Sequence, residues 1–326
     1  MFESLKLLKT VSRPEFLPAN LGSLVMGLAW GVDPYMNNIW DIGFLAGLVF
    51  AVLTFVSAIG AQLNTLSDHE LDSKEPRKRY LVQALEALGH DRLKRIMLVE
   101  FLLSLPFIIL LIFVQPKFVL VLLWILGHFM AYAYSASPLR LKCRSWLAML
   151  SLFAVLSILP VSFAYYTFTD ALKPLFLLFL VGEAMNVYAV IIPTETRDYW
   201  IDKANGVNTM TVRLGLVKAS LLAMALLITG GTLMATAFAI AVSDLLPLLT
   251  VSLLAILAAD ITILRNYWKL YNLSKQHSIT GDSSIAEEIV ELSARNPRWI
   301  NLAQQSIVIL ALALIVAKVS LRFLVY

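Results

Sequence analysis

Asn64, Asp68 and Asp72 fall at i, i+4 and i+8 in the stretch Asn64-Thr-Leu-Ser-Asp68-His-Glu-Leu-Asp72. On a helix this spacing keeps all three side chains on one slowly drifting face. A second acidic stretch, Glu195-Thr-Arg-Asp198-Tyr-Trp-Ile-Asp202, repeats the arrangement with Asp198 and Asp202. Two hard carboxylate pairs that face each other suit Mg²⁺. That ion takes oxygen ligands and is held by one or two carboxylates together with substrate phosphates. The chemistry expected is the holding of a diphosphate beside a greasy tail, with two Mg²⁺ ions bridging carboxylate and phosphate oxygens. A plainer reading treats one such stretch as helix caps and solvated groups. Two stretches on the same side of one fold argue for a site.

The rest of the chain must bring these ends together, and its composition says how. The 326 residues are 59% apolar and only 15% charged, with a mean hydropathy of +0.78. Soluble domains are about 45–50% apolar and about 25% charged, so the sequence points to an all-α polytopic membrane bundle around a central cavity. A span needs about 20 mostly apolar residues. Nine candidates occur, at 16–32, 42–64, 96–114, 118–135, 146–167, 173–194, 216–242, 247–265 and 299–318. Their apolar runs are continuous rather than alternating, which speaks against a membrane β-barrel. Pro106 and Pro160 are expected kinks, and Gly230 and Gly231 an expected bend. A single cysteine, Cys143, leaves no internal disulfide.

Basic residues set the orientation. Of the 26, 22 fall at the N-terminus and in the loops after spans two, four, six and eight. Only Lys117, Lys173, Lys318 and Arg322 lie on the other side. The N-terminus is therefore expected inside and the C-terminus outside. The polar loops at about 65–95, 195–216 and 266–298 are expected to be cytoplasmic, and both acidic stretches sit at cytoplasmic span ends. No cleavable signal or transit segment is read at the N-terminus, and residues 1–326 are expected to form one membrane domain.

Beside the acids, Arg77, Lys78, Arg140 and Lys142 are candidate phosphate ligands. Arg binds phosphate bidentately and Lys acts as a point charge; the alternative is a purely topogenic role. Tyr134 is a candidate for the diphosphate or an interfacial anchor. Residues 79–93 are apolar at helical spacing, as expected of an amphipathic lid or surface helix. Glu183 lies within a span and is a functional candidate by default. Asn186 and His128 are expected in interhelical hydrogen bonds, and His69 is expected to be incidental.

The two acidic stretches, with Gly206, Thr209 and Gly215 following the second, resemble the UbiA superfamily of intramembrane prenyltransferases. So does Tyr134-Ser-Ala-Ser-Pro138-Leu-Arg140-Leu-Lys142. The resemblance covers nearly the whole chain. It implies a prenyl diphosphate bound through Mg²⁺ to Asp68, Asp72, Asp198 and Asp202, with Asn64 in support and Thr209 near the substrate. It also implies ionisation to an allylic cation, and attack by a lipophilic acceptor within the membrane lipid. Thr65 stands where many members carry a further Asp, and Ser137 replaces one residue of a Pro-Pro pair. The stretch from Tyr134 leans towards chlorophyllide or carotenoid acceptors, with quinone precursors open. No nucleic-acid partner is expected. The competing class is a secondary transporter, whose acids would lie near mid-membrane on broken helices. A CDP-alcohol phosphotransferase would need a D-G-x-x-A-R stretch that the sequence lacks.

Overall fold

The computed structural model describes residues 2–33, 39–243 and 246–324. Among them the chain is helical apart from short connections, with one isolated bridge between Arg144 and Asn208. The helices are α1 (Phe2–Val11), α2 (Leu17–Gly31), α3 (Ile39–Ser67), α4 (His69–Asp72), α5 (Arg79–Leu88), α6 (His90–Val114) and α7 (Phe118–Ser135). They continue as α8 (Trp146–Phe153), α9 (Leu159–Phe168), α10 (Pro174–Ala204), α11 (Met210–Leu214) and α12 (Leu216–Ala241). The last are α13 (Leu246–Thr280), α14 (Ser283–Ala294) and α15 (Asn296–Leu324).

The nine expected spans coincide in order with α2, α3, α6, α7, α8–α9, α10, α12, α13 and α15. Six of these stretches (α3, α6, α7, α8–α9, α10 and α12) are long and apolar enough to cross a bilayer. Helix α2 has 15 residues and extends about 22 Å, less than the roughly 30 Å hydrocarbon core. The outer face carries rows of exposed apolar side chains, such as Leu98, Leu102, Ile109 and Phe113 on α6. Patches of that size are unusual on a soluble monomer; hydrocarbon solvates them.

Small residues let the helices approach, as expected where lipid supplies no hydrophobic drive between them. A Cβ on Gly182 of α10 would come within 2.7 Å of the Gly230 carbonyl of α12. Gly231 takes the Asp260 carboxylate of α13 against its backbone. The paired glycines of α12 therefore serve close contact, and the helix runs unbroken through them.

Prolines shape two spans. Pro160 sits just after a π-helical stretch, Ala154–Ile158, that joins α8 to α9. A proline ring clashes with the carbonyl four residues back, and a widened turn relieves that clash. Pro193 lies inside α10 and cannot donate to the Ala189 carbonyl. Tyr267 of α13 supplies the missing donor from its hydroxyl at 2.8 Å.

Several expectations change. The 79–93 helix is shorter: α5 stops at Gly89, whose φ of +85° favours glycine, and α6 begins at once. Helix α5 buries Leu81 and packs Ala84, Leu85 and Leu88 against Val11 and Leu93, so it lies against α1 and α6. The 266–298 linker is almost wholly helical, formed by the extension of α13 and by α14. His128 bonds within its own helix, to the Trp124 carbonyl at 3.1 Å, and among the described residues not to a neighbour; its ring lies edge-on to Phe101 and Trp124. Gln62 instead ties helices together. Its Nε2 donates to Glu100 of α6 at 2.8 Å and to Ser12 after α1 at 2.8 Å.

Candidate active site

The first acidic stretch straddles a helix break. Asp68 leaves helical geometry (φ −101°, ψ 4°) between α3 and α4. The backbone nevertheless keeps the i to i−4 bonds, from Asp68 N to Asn64 O at 3.0 Å and from Asp72 N to Asp68 O at 2.7 Å. Asn64, Asp68 and Asp72 therefore still project to one side. The second stretch stays within α10, which continues ten residues past the expected span end to Ala204.

The loop after α7 feeds basic groups to the first stretch. Lys142 Nζ donates to Asn64 Oδ1 at 3.0 Å and also to Asp68 Oδ1. Arg140 reaches Asp68 Oδ1 at 3.4 Å, and Ser135 Oγ donates to Asn64 Oδ1 at 3.4 Å. Arg140 holds a left-handed backbone (φ +40°), a conformation that costs a non-glycine residue about 1–3 kcal/mol. The loop is clasped at its far end, where Ser145 N and Oγ donate to the Asn208 carbonyl at 2.8 and 3.0 Å.

Lys78 joins the two stretches. Its ammonium lies 2.9 Å from Asp72 Oδ1 and 3.6 Å from Asp198 Oδ2. Arg197 grips Asp198 with two parallel bonds of 2.7 and 2.9 Å. A further tie runs from Lys74 Nζ to Asn205 Oδ1 at 2.6 Å. The ends of α3–α4 and α10 thus meet, with basic side chains between their acids. Beside them a crevice of about 460 Å³ is lined by Leu66, His69, Lys74, His90, Arg140 and Asn205.

Burial and charge oppose each other here. Burial raises the Asp72 carboxyl above its ordinary range despite Lys78. For Lys78 burial pulls down, but Asp198 and Asp72 outweigh it and hold the ammonium above its usual value. Burial prevails at Lys142, which is lowered despite Asp68. Asp202 is buried, within reach of the charges of Asp198, Lys78, Glu195 and Asp68. Tyr134 lies where the charges of Glu195, Asp68 and Asp202 all act on it.

Five polar residues singled out from the sequence stand apart or are otherwise engaged. Arg77 is exposed, and its backbone N–H is what bonds, to Glu75 Oε1 at 3.3 Å. Thr209 caps α11, its hydroxyl accepting from Val212 N at 3.3 Å. His69 is tied to Glu86 at 3.3 Å and lies edge-on to His90, which braces α4 against α5 and α6. Glu183 is buried, with Oε2 unpartnered among the described residues. Asn186 reaches across to Met234 Sδ at 3.9 Å.

Sequence reasoning passed over Glu195. It accepts from Thr211 N at 3.0 Å, Thr211 Oγ1 at 2.9 Å and Tyr188 Oη at 3.0 Å, which anchors α11 to α10. Its position three residues before Asp198 was the available signal. Arg197 and Lys74 were visible only as topogenic charges.

Among the described residues, no three acidic, histidine or cysteine side chains lie close enough to hold a metal by themselves. The donor set still suits Mg²⁺. The oxygens are hard, Lys78 already sits as a cation between Asp72 and Asp198, and Mg²⁺ draws part of its shell from substrate phosphates and water.

Comparison with known proteins agrees with this architecture. The model of the UbiA prenyltransferase family matches residues 18–279. A structure of digeranylgeranylglyceryl phosphate synthase is similar at 16% identity, covering 95% of this chain and 99% of that one, with a TM-score of 0.59. A UbiA homologue from Archaeoglobus fulgidus bound to GPP and Mg²⁺ is 16% identical over 91% of this chain and 99% of its own, with a TM-score of 0.60. The form of that homologue bound to DMAPP and Mg²⁺ gives 17%, 91%, 98% and 0.61. No curated protein matches the sequence. With six long apolar helical stretches among the described residues, the chain is an integral membrane protein that belongs to the UbiA prenyltransferase family.

Proposed function

We propose that this protein transfers a prenyl group from a prenyl diphosphate to a hydrophobic acceptor dissolved in the membrane. The observation that carries the reading is the single Lys78 ammonium in contact with acids of both stretches. Two helix ends otherwise far apart in sequence converge on a position built for dense opposite charge. The Archaeoglobus homologues bound to GPP or DMAPP with Mg²⁺ support it.

Asp68, Asp72, Asp198 and Asp202, with Asn64, would hold Mg²⁺, which when bound supplies neutralisation of the diphosphate's charge. Lys142, Arg140 and Lys78 bind diphosphate oxygens, each released from an aspartate as the substrate enters. These donors stabilise the charge that grows on the leaving oxygen as the allylic C–O bond breaks. The bonding pair leaves with the diphosphate. Tyr134 borders the reacting carbon, and the apolar helix faces exclude the water that would quench the cation. The acceptor forms the new C–C or C–O bond and loses a proton. Quinone precursors, chlorophyllide-type rings and carotenoid-type chains are the acceptor classes to try. In this reading nine crossings place the N-terminus and the site at the cytoplasmic face, within a single domain.

The test incubates purified protein with Mg²⁺, labelled prenyl diphosphates of several lengths and a panel of these acceptors. A product of increased mass is expected from the wild type. Asp68→Ala and Asp198→Ala, still inserted and monodisperse, are expected to give none. Normal turnover in both variants would remove the site.

A further inference from the structure

Away from the acidic site, α13 and α14 enclose a second crevice of about 390 Å³. It is lined by Thr262, Arg265, Asn266, Lys269, Leu292 and Arg295. Three of the six are cations and none is an acid. Lys269 and Arg295 make ion pairs with Glu288 at 3.0 Å and Glu291 at 3.3 Å. All four side chains are largely exposed, and such pairs contribute about 0–1 kcal/mol each, so a better anion displaces them. Arg265 makes no ion pair among the described residues.

The crevice lies where an apolar surface ends. Leu254, Leu257 and Ile261 of α13 are 61%, 54% and 63% exposed. At helical spacing they form one stripe, and Arg265 continues it at the next turn. Trp268, also exposed, follows at the level where interfacial Trp residues sit. A soluble anion would have no use for the stripe. A lipid would use both parts, with acyl chains along Leu254–Leu257–Ile261 and the headgroup among the cations. Basic crevices at the membrane surface hold anionic headgroups in this way.

We propose that the α13–α14 crevice binds the phosphate of an anionic phospholipid, through Arg265, Lys269 and Arg295. The site is independent of prenyl transfer and requires no metal.

The test titrates the full-length protein in detergent with phosphatidylglycerol, phosphatidylcholine or inorganic phosphate. Native mass spectrometry counts bound lipid, and gel filtration checks each variant's fold. The wild type is expected to retain phosphatidylglycerol in preference to phosphatidylcholine. The Arg265→Gln/Arg295→Gln double variant should retain it roughly 30-fold less tightly, from about fivefold per cation. Arg92→Gln/Lys94→Gln, an equal loss of charge on α6, should change nothing. Should the double variant aggregate, Lys269→Gln alone is expected to weaken retention roughly fivefold. Equal retention of the two lipids, or undiminished retention by the crevice variants, overturns the proposal. Displacement of phosphatidylglycerol by millimolar inorganic phosphate would assign the crevice to a free anion and overturn it equally.

Discussion

Lys78 holds apart two carboxylates that would otherwise repel. Removing its charge leaves Asp72 and Asp198 facing each other with one compensating cation fewer, and it takes a donor from the diphosphate. Lys78→Gln is therefore expected to lower kcat/KM for the prenyl diphosphate by about 10²-fold, the usual loss for one charge-stabilising donor. Lys78→Arg keeps the charge in a different fork and should fall between. Steady-state kinetics at saturating Mg²⁺ decides it; an unchanged kcat/KM in Lys78→Gln would detach the residue from the reaction. Glu195 predicts something different. Two of its three bonds converge on Oε2, and removal of the carboxylate leaves the Thr211 N–H and hydroxyl without an acceptor. Glu195→Leu should destabilise the fold by about 1–3 kcal/mol, read as a lower unfolding temperature in detergent. Retained stability would mean that α11 is anchored elsewhere.

At the scale of the helix, Pro193 and Tyr267 form a paired device. The proline removes the donor that Ala189 needs, and the tyrosine of α13 replaces it. Inside a bilayer an orphaned carbonyl has no water to turn to. Tyr267→Phe is expected to cost about 1–3 kcal/mol. Pro193→Ala should recover part of that loss in the Tyr267→Phe background, because residue 193 then donates to Ala189 itself. A double-mutant cycle of thermal unfolding measures the coupling, and strict additivity would refute it. The same helices show how far the sequence could be read. Apolar runs located the six described stretches that are long and apolar enough to cross, because hydropathy is what the bilayer selects. Helices run up to fifteen residues past the expected span ends, as at Thr280 of α13, because hydropathy marks where a helix leaves lipid and not where its hydrogen bonds stop. The aspartates were legible from an i, i+4 repeat. The Lys78 bridge, the Glu195 anchor and the Tyr267 donor were not, since each joins residues whose proximity only the packed bundle creates.

For the whole molecule, sidedness is the property that we expect the charges to set. Two of the four basic residues on the sparse side are occupied at helix ends. Lys117 donates to the Tyr166 carbonyl at 3.0 Å, at the end of α9. Lys318 donates to the Val32 carbonyl at 2.8 Å, just past α2. Cations at helix C-termini complement the macrodipole and the last free carbonyls, so these two have a local reason to break the rule. The remaining asymmetry is steeper than the raw count. Cys143 turns that asymmetry into a measurement, since it is the chain's one cysteine and lies in the turn that delivers Lys142. Burial pushes its thiol above the usual value, so labelling with a membrane-impermeant maleimide calls for alkaline buffer. Intact cells are expected to leave Cys143 unlabelled, and inverted vesicles to label it. In a Cys143→Ala background, Lys173→Cys and Lys275→Cys probe exposed positions separated by α10, α12 and α13. Lys173→Cys should react from outside and Lys275→Cys only from within, because three crossings intervene. Reaction of both from one side would mean that one of those helices does not cross, and reaction of Cys143 in intact cells would invert the protein and turn the aspartates outward.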